Sequence, residues 1–207
     1  MAGKNLLKFN AQNGKYALLG ESATIKSIGK LDSVSLEADY SEQKIYGDGY
    51  VIDTIPSDKG LTGALATTLL NDEYEIDMGR KIELATGLAD IKQLDSIPHN
   101  IYFEIFAREI EGANKGKNQV VKVWLLNVTT GKPGETFKQN EDGITVTTYE
   151  NSLTVLGVPV KAATGEENYR DANGNEVYAT KVVCYPDMVG YATFGDSVAV
   201  PKMKASV

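Results

Sequence analysis

The sequence predicts a mainly β protein: two packed sheets, sandwich- or barrel-like, with one short flanking helix. Short runs of Leu, Ile and Val recur along all 207 residues and are broken by Gly, Asn and Asp. Glycine is abundant at 20 residues and proline scarce at 6, which suits strands and tight turns over disorder. Most apolar segments alternate with period two, and only one carries helix signals. The length is enough to bury a sizeable core, and about nine to eleven strands in a single domain over 1–207 are expected.

From the N-terminus, LKFNAQNGKYALLG sets two apolar pieces around an Asn13-Gly14 turn signal. LDSVSLEADY then alternates, with Val34, Leu36 and Ala38 on one face and Ser33, Ser35 and Glu37 on the other, the pattern of a half-buried strand. Two glycines interrupt YGDGY, and VIDTIPSDKG leads into a turn at Ser57-Asp58-Lys59-Gly60; a long loop is expected over about 46–60. Leu61 to Leu70 reads as strand again. Asn71 or Asp72 then caps a helix of roughly seven residues, with Glu73 and Glu75 in its first turn and Gly79 at its end. So short a helix is unstable alone and must pack on a sheet.

In the second half, IYFEIFA places Ile101, Phe103, Ile105 and Ala107 against Tyr102, Glu104 and Phe106, so both faces are partly buried. The polar turn GANKGKNQ joins it to VVKVWLLNV as a hairpin. TTGKPGETFKQNEDG follows, a connection whose length suits contact with a partner. ITVTTYENSLTVLGV returns to alternation. YRDANGNEVY predicts a hairpin with Asn173-Gly174 at its tip and Val177–Tyr185 as the returning strand.

Residue chemistry points away from catalysis. His99 is the sole histidine and reads as a loop-edge residue. A serine nucleophile would need a context such as G-x-S-x-G, and the chain has none. Cys184, the only cysteine, leaves no intramolecular disulfide and reads as a small buried hydrophobe. GANKGKNQ lacks the phosphate-loop spacing, and DANGNE lacks the Glu that completes a calcium loop, Val182 standing there instead. Adjacent carboxylates such as Asp72-Glu73 and Glu141-Asp142 read as solvated or interface charge. No catalytic residue, metal ligand or cofactor is assigned. Eleven tyrosines against five phenylalanines tilt the expectation toward protein contacts. The formal charge of −7 disfavours a phosphate-gripping surface. MAGKNLLKFN has no signal-peptide core and no apolar run is long enough to span a membrane, so synthesis in a reducing cytoplasm is expected.

The order of these pieces resembles the major tail proteins of long-tailed, non-contractile bacteriophages of Gram-positive bacteria. The likeness runs over about residues 5–160: the KFN opening with YALL, LDSVSLEAD, KIYGDGYVID, SDKGLTGALATTLLNDEYEIDMG, and VVKVWLLNVTTGKPGETFKQNEDGITVTTYENSLTV. Residues after Ala162 fit less closely.

That resemblance implies a tail-tube fold whose subunits form rings of six that stack into a tube, a virion component assembled in the host cytoplasm. Four strands per subunit would line a channel for genomic DNA, which passes without specific binding. The other implied partners are the tape measure, terminator and distal tail proteins. The N-terminal arm (about 1–15) and the loops over about 46–60 and 128–143 would reach neighbouring subunits or rings, with Gly47, Asp48, Gly49, Tyr50, Lys132, Pro133, Thr136, Phe137, Asn140 and Glu141 as contact candidates. Leu69, Leu70, Ile76 and Met78 would pack the helix inward or into the next subunit. Six copies at −7 carry a formal −42 per ring, in keeping with a wall that does not hold phosphate. Three rivals stand beside this expectation. They are a terminator or distal tail ring component, a virion decoration or carbohydrate-binding β module, and an enzyme built around His99, Cys184 or scattered carboxylates.

Overall fold

The protein's structure is a computed structural model that describes residues 6–20, 24–93, 95–111, 115–134 and 147–204. The chain opens with β1 (Leu6–Leu18), β2 (Lys26–Ser27), β3 (Gly29–Gly47) and β4 (Tyr50–Leu70). Helix α1 (Asp72–Asp77) and the strands β5 (Lys81–Leu84) and β6 (Gly87–Asp90) follow. The second half supplies β7 (His99–Glu109), β8 (Asn118–Thr130), β9 (Tyr149–Val155), β10 (Val158–Pro159), β11 (Tyr178–Ala179) and β12 (Lys181–Cys184). The fold is mainly β with one short helix among the described residues. Eight strands make one antiparallel sheet in the order β2-β1-β7-β8-β9-β4-β3, with β12 added beside β8; β5–β6 and β10–β11 form two small ribbons.

The large sheet folds over along β8. Lys122–Leu125 pair with β12, whereas Val128–Thr130 pair with β9 on the same side of the strand. Asn127, at the crossing, has a positive φ of 54°, and asparagine tolerates that conformation better than most side chains. One apolar cluster fills the fold: Ile101, Phe103, Val121, Val123 and Leu125 from β7 and β8 pack with Leu65, Leu153 and Val155 from β4 and β9. Val34 and Leu36, placed on the apolar face by alternation, pack against the same cluster.

The outermost strands in the sheet order, β2 and β3, are consecutive in the chain and separated only by Ile28. The Ile28 N–H donates to the Gly14 carbonyl at 3.1 Å, so the sheet curls nearly full circle. Among the described residues it does not close: β3 has no ladder to β1, and the expected barrel-like closure is not found. From Gly29 onward β3 leaves β1 to follow β4. Gly29 makes that departure possible with φ at 129° and its Cα against the Leu69 carbonyl, where a Cβ has no room.

Three local expectations are corrected. Asn13-Gly14 is no hairpin turn: β1 runs through it, with register shifts at Phe9/Ala11 and Gln12/Lys15 and positive φ at Asn10 and Asn13. The left-handed backbone that Asn supplies to a turn serves here to bulge a continuous strand. The returning strand expected over Val177–Tyr185 is split. Tyr178–Ala179 pair with β10, and Lys181–Cys184 cross to β8. The stretch 46–60, expected as a loop, is strand on both sides of a two-residue turn.

Residues 186–204, which hold no long strand, cover the outer face of β7 and β8. Phe194, Val198 and Ala199 pack on Ala17, Tyr102, Trp124 and Leu126, and the Trp124 indole N–H donates to the Phe194 carbonyl at 2.9 Å. Cys184 is buried, in line with its reading as a small hydrophobe.

Candidate assembly surface

Two long strands make the most exposed feature. β3 and β4 pair from Gly29↔Leu70 out to Gly47↔Tyr50, but β9 accompanies β4 only from Leu61 to Thr67. Beyond Ala38↔Leu61 the hairpin continues alone, roughly 30 Å at the usual rise per residue. Asp48 and Gly49 form its tip with φ of 51° and 85°, the left-handed pair that a tight two-residue turn needs. Tyr46, Tyr50 and Ile52 are 66%, 79% and 71% exposed, and Tyr40, Ile45, Val51 and Ile55 are exposed as well. A lone two-stranded hairpin is marginal in water, and an apolar patch of this kind marks a contact surface. Gly47, Asp48, Gly49 and Tyr50 are therefore gathered at one point, the end of this arm.

The β9-β4-β3 layer has a second face, turned away from the core. Cross-strand register places Ser33, Ala66 and Glu150 in one row, Ser35, Ala64 and Ser152 in the next, and Glu37, Thr62 and Thr154 in a third. These positions hold small or hydroxylated side chains and two carboxylates, with no Lys or Arg. Gly63, between them, has its Cα against the Ser35 carbonyl, so β3 and β4 lie in close contact there.

Helix α1 sits at the base of this layer, held by polar contacts along its length. Asn71 is its N-cap, accepting from the Glu73 N–H at 3.1 Å and donating to the Ser27 carbonyl at 2.6 Å. Asp77 accepts from the Tyr16 hydroxyl and from the Lys26 ammonium, each at 2.7 Å, and Glu73 pairs with the same lysine at 3.0 Å. Glu75 and Arg80 form a fully buried ion pair at 3.0 Å. Arg80 also donates to the Thr130 carbonyl at 2.6 Å and to the Thr130 hydroxyl. The Tyr74 hydroxyl meets the Thr130 hydroxyl at 2.9 Å and His99 Nε2 at 3.0 Å, while His99 Nδ1 lies 2.9 Å from the Ile97 carbonyl. His99 is fully buried within this network and is not at a loop edge. Burial, with the Arg80 charge adding to it, lowers its pKa to about 4. Burial likewise pushes the Tyr74 hydroxyl up to about 12.

The remaining candidate residues are dispersed. Met78 is buried in the core, Leu70 and Ile76 are half-buried, and Leu69 is exposed. Lys132 forms an ion pair with Asp90 of the β5–β6 ribbon at 2.8 Å, and Pro133 is buried. Thr136, Phe137, Asn140 and Glu141 lie outside the described residues. Residues 6–15, expected within an N-terminal arm, form most of β1.

Sequence reasoning missed the Arg80–Glu75–Thr130 connection; its only local trace was an acidic first turn followed by Arg80. Among the described residues no group of three His, Cys, Asp or Glu is placed to hold a metal ion. No described helix is long and apolar enough to cross a membrane. No protein-family model matches the chain, and no curated protein matches it either.

Proposed function

We propose that this chain is the repeating subunit of a bacteriophage tail tube, closing into rings of six that stack around a channel for double-stranded DNA. The observation that carries the reading is the outward face of the β9-β4-β3 layer. Its rows of Ser, Thr and Ala with Glu37 and Glu150 offer phosphate no cation. A wall past which a polyanion must slide calls for that chemistry, since each cation contacting phosphate adds a salt-dependent hold.

Two further features support it. Among the described residues β3 is an edge strand with no partner beyond β4, a row of backbone donors and acceptors that a second copy completes by strand pairing. The apolar arm projects beyond the fold that makes it, so its cover comes from outside the subunit. In this reading the fold is the tail-tube sandwich, α1 is scaffolding that holds the base of the wall layer, and the protein has no catalytic task. The tape measure, terminator and distal tail proteins meet the ends and interior of the tube.

The test is negative-stain imaging of the purified full-length chain across a concentration series. Hollow tubes or stacked rings of uniform bore support the reading. A chain that stays monomeric when concentrated and when offered a tail-tip complex overturns it, and isolated rings alone transfer the reading to a terminator or distal tail component.

A further inference from the structure

We infer that the aromatic tip of the β3–β4 arm plugs an apolar socket on a second copy of this chain, built by the C-terminal stretch around residues 196–201. This rests on the tube reading for its biological meaning and assigns a role to the part of the chain that the family resemblance leaves unexplained.

The socket is an open groove of about 560 Å³. Leu126 forms its floor, Val158, Val198 and Ala199 its sides, and Leu19 and Val200 its rim. Leu126 is fully buried, yet Leu19 and Val200 are 45% and 68% exposed, so the groove is an apolar surface left open at its mouth. Its wall is fixed in place: the Lys161 N–H donates to the Pro201 carbonyl at 2.8 Å, and the Met203 N–H donates to the Lys161 carbonyl at 2.9 Å. Ser197 and Asp196 also line the groove and offer polar partners to a phenol.

The arm tip has the matching properties. Tyr46 and Tyr50 carry large apolar rings ending in a hydroxyl, and both are largely exposed. Charge also agrees. Lys44, Asp48 and Asp53 give the tip a formal −1; Lys161 and Asp196 in the groove cancel, and Lys202, bridged to Lys161 beside it, leaves a formal +1 there. Lys202 is exposed and bridged to Lys161.

The occupant is another copy because a chain cannot fill its own socket. The arm starts where Leu61 pairs with Val155, and the socket starts three residues after Val155. Leu156 and Gly157 are pinned there by their N–H groups to the Asn127 and Leu126 carbonyls. The arm carries its tip roughly 30 Å beyond the Leu61–Val155 pairing, whereas its own socket begins within a few residues of that pairing. Knob and socket on different parts of one subunit make a heterologous contact, which propagates from copy to copy and closes into a ring where the rotation allows.

The test uses the full-length chain. Equal amounts of ¹⁴N- and ¹⁵N-labelled full-length protein are mixed under unfolding conditions, refolded, assembled and treated with a carbodiimide that joins carboxylates to amines. Peptides are then read by mass spectrometry, and the same sample is imaged. The expected product is a mixed-isotope link between the tryptic peptide 45–59, through Asp48 or Asp53, and Lys161 or Lys202. The double variant Tyr46→Ser/Tyr50→Ser, which alters no buried contact, should lower that link's yield at least about tenfold with an unchanged thermal midpoint. Tubes whose 45–59 peptide gives no mixed-isotope link to Lys161 or Lys202 overturn the socket and leave the tube reading standing. The mixed link without tubes or rings supports the socket and overturns the tube. Neither tubes nor the link overturns both.

Discussion

The Tyr74 hydroxyl lies 3.0 Å from His99 Nε2, and this contact fixes the direction of every hydrogen bond in the network that holds α1 to the sheet. Arg80 only donates and the Ile97 carbonyl only accepts. His99 Nδ1 must therefore carry a proton, which leaves Nε2 of the neutral ring as an acceptor. Tyr74 gives its single proton to Nε2, Thr130 gives its own to Tyr74, and Arg80 donates to Thr130. The chain from Arg80 to Ile97 has one consistent sense, and it exists only while His99 is neutral.

Acid should therefore loosen the helix. The folded-state pKa of His99, about 4, lies below its ordinary value of 6.5, so the unfolded chain takes up the proton first. The contribution is complete above about pH 6.5 and is lost as pH falls from 6.5 toward 4, by roughly 3 kcal/mol in all. Burial raises the pKa of Glu75 against the pull of Arg80, and that acts in the opposite sense, contributing stability present below pH 4.5 and lost as pH rises through the raised folded value. Urea unfolding from pH 8 to 4 in the wild type and in His99→Gln separates the two. The difference between the curves should be largest at pH 7 and shrink toward pH 4; a constant difference would show that His99 does not titrate between the states.

The buried ion pair makes a second, sharper prediction. Arg80→Met leaves the Glu75 carboxylate buried without its partner and should cost about 3–5 kcal/mol. Arg80→Met/Glu75→Leu removes both charges and should cost less than the single change, because no unpaired charge remains. Tyr74→Phe strands His99 Nε2 and takes away the acceptor of the Thr130 hydroxyl proton, and should cost about 2 kcal/mol. Urea midpoints report all three, and a double variant weaker than Arg80→Met would show that the pair stabilises the fold by itself.

What the sequence displayed and what it hid follow from the range of the interactions. The Leu61–Leu70 strand, the Asn71 cap and Gly79 after the helix are set by neighbours within a few residues, and all were legible. Thr130 meets Arg80 across 50 residues, and no local pattern encodes that. His99 read as a loop residue because its preceding Pro98 is a local signal, whereas its burial is decided by β1, β8 and α1. The arm was hidden for a different reason. Alternation marks a strand but not its number of neighbours, and Gly47, Gly49 and Pro56 mimic a loop while sitting in an exposed two-stranded ribbon.

Removing the arm should separate folding from assembly. Tyr40 pairs directly with Asp58, so residues 41–57 can be replaced by an Asn-Gly turn without breaking the ladder below. No residue of the apolar core lies in the deleted segment. The shortened chain should keep its thermal midpoint to within about 3 °C, since surface changes of this kind move stability little. It should fail to form rings or tubes at concentrations where the full chain does. Unimpaired tubes from the shortened chain would show that the arm plays no part in assembly.

The wall chemistry is tested by adding the charge it lacks. Ser152 is exposed on β9 in a row with Ala64 and Ser35; in the proposed ring of six, Ser152→Lys would put six cations around the bore. Wild-type tubes should not retain a short fluorescent DNA duplex in co-sedimentation at low salt. Ser152→Lys tubes should retain it, with retention falling steeply between 50 and 200 mM salt as counterion release requires. Thr54→Lys, paired with Lys44 on the opposite face of the arm, serves as the control for charge outside the wall. If Thr54→Lys binds DNA and Ser152→Lys does not, the β9-β4-β3 face is turned away from the channel. Retention confined to Ser152→Lys would put that face on the bore, because only there does a new cation meet the polyanion along its path.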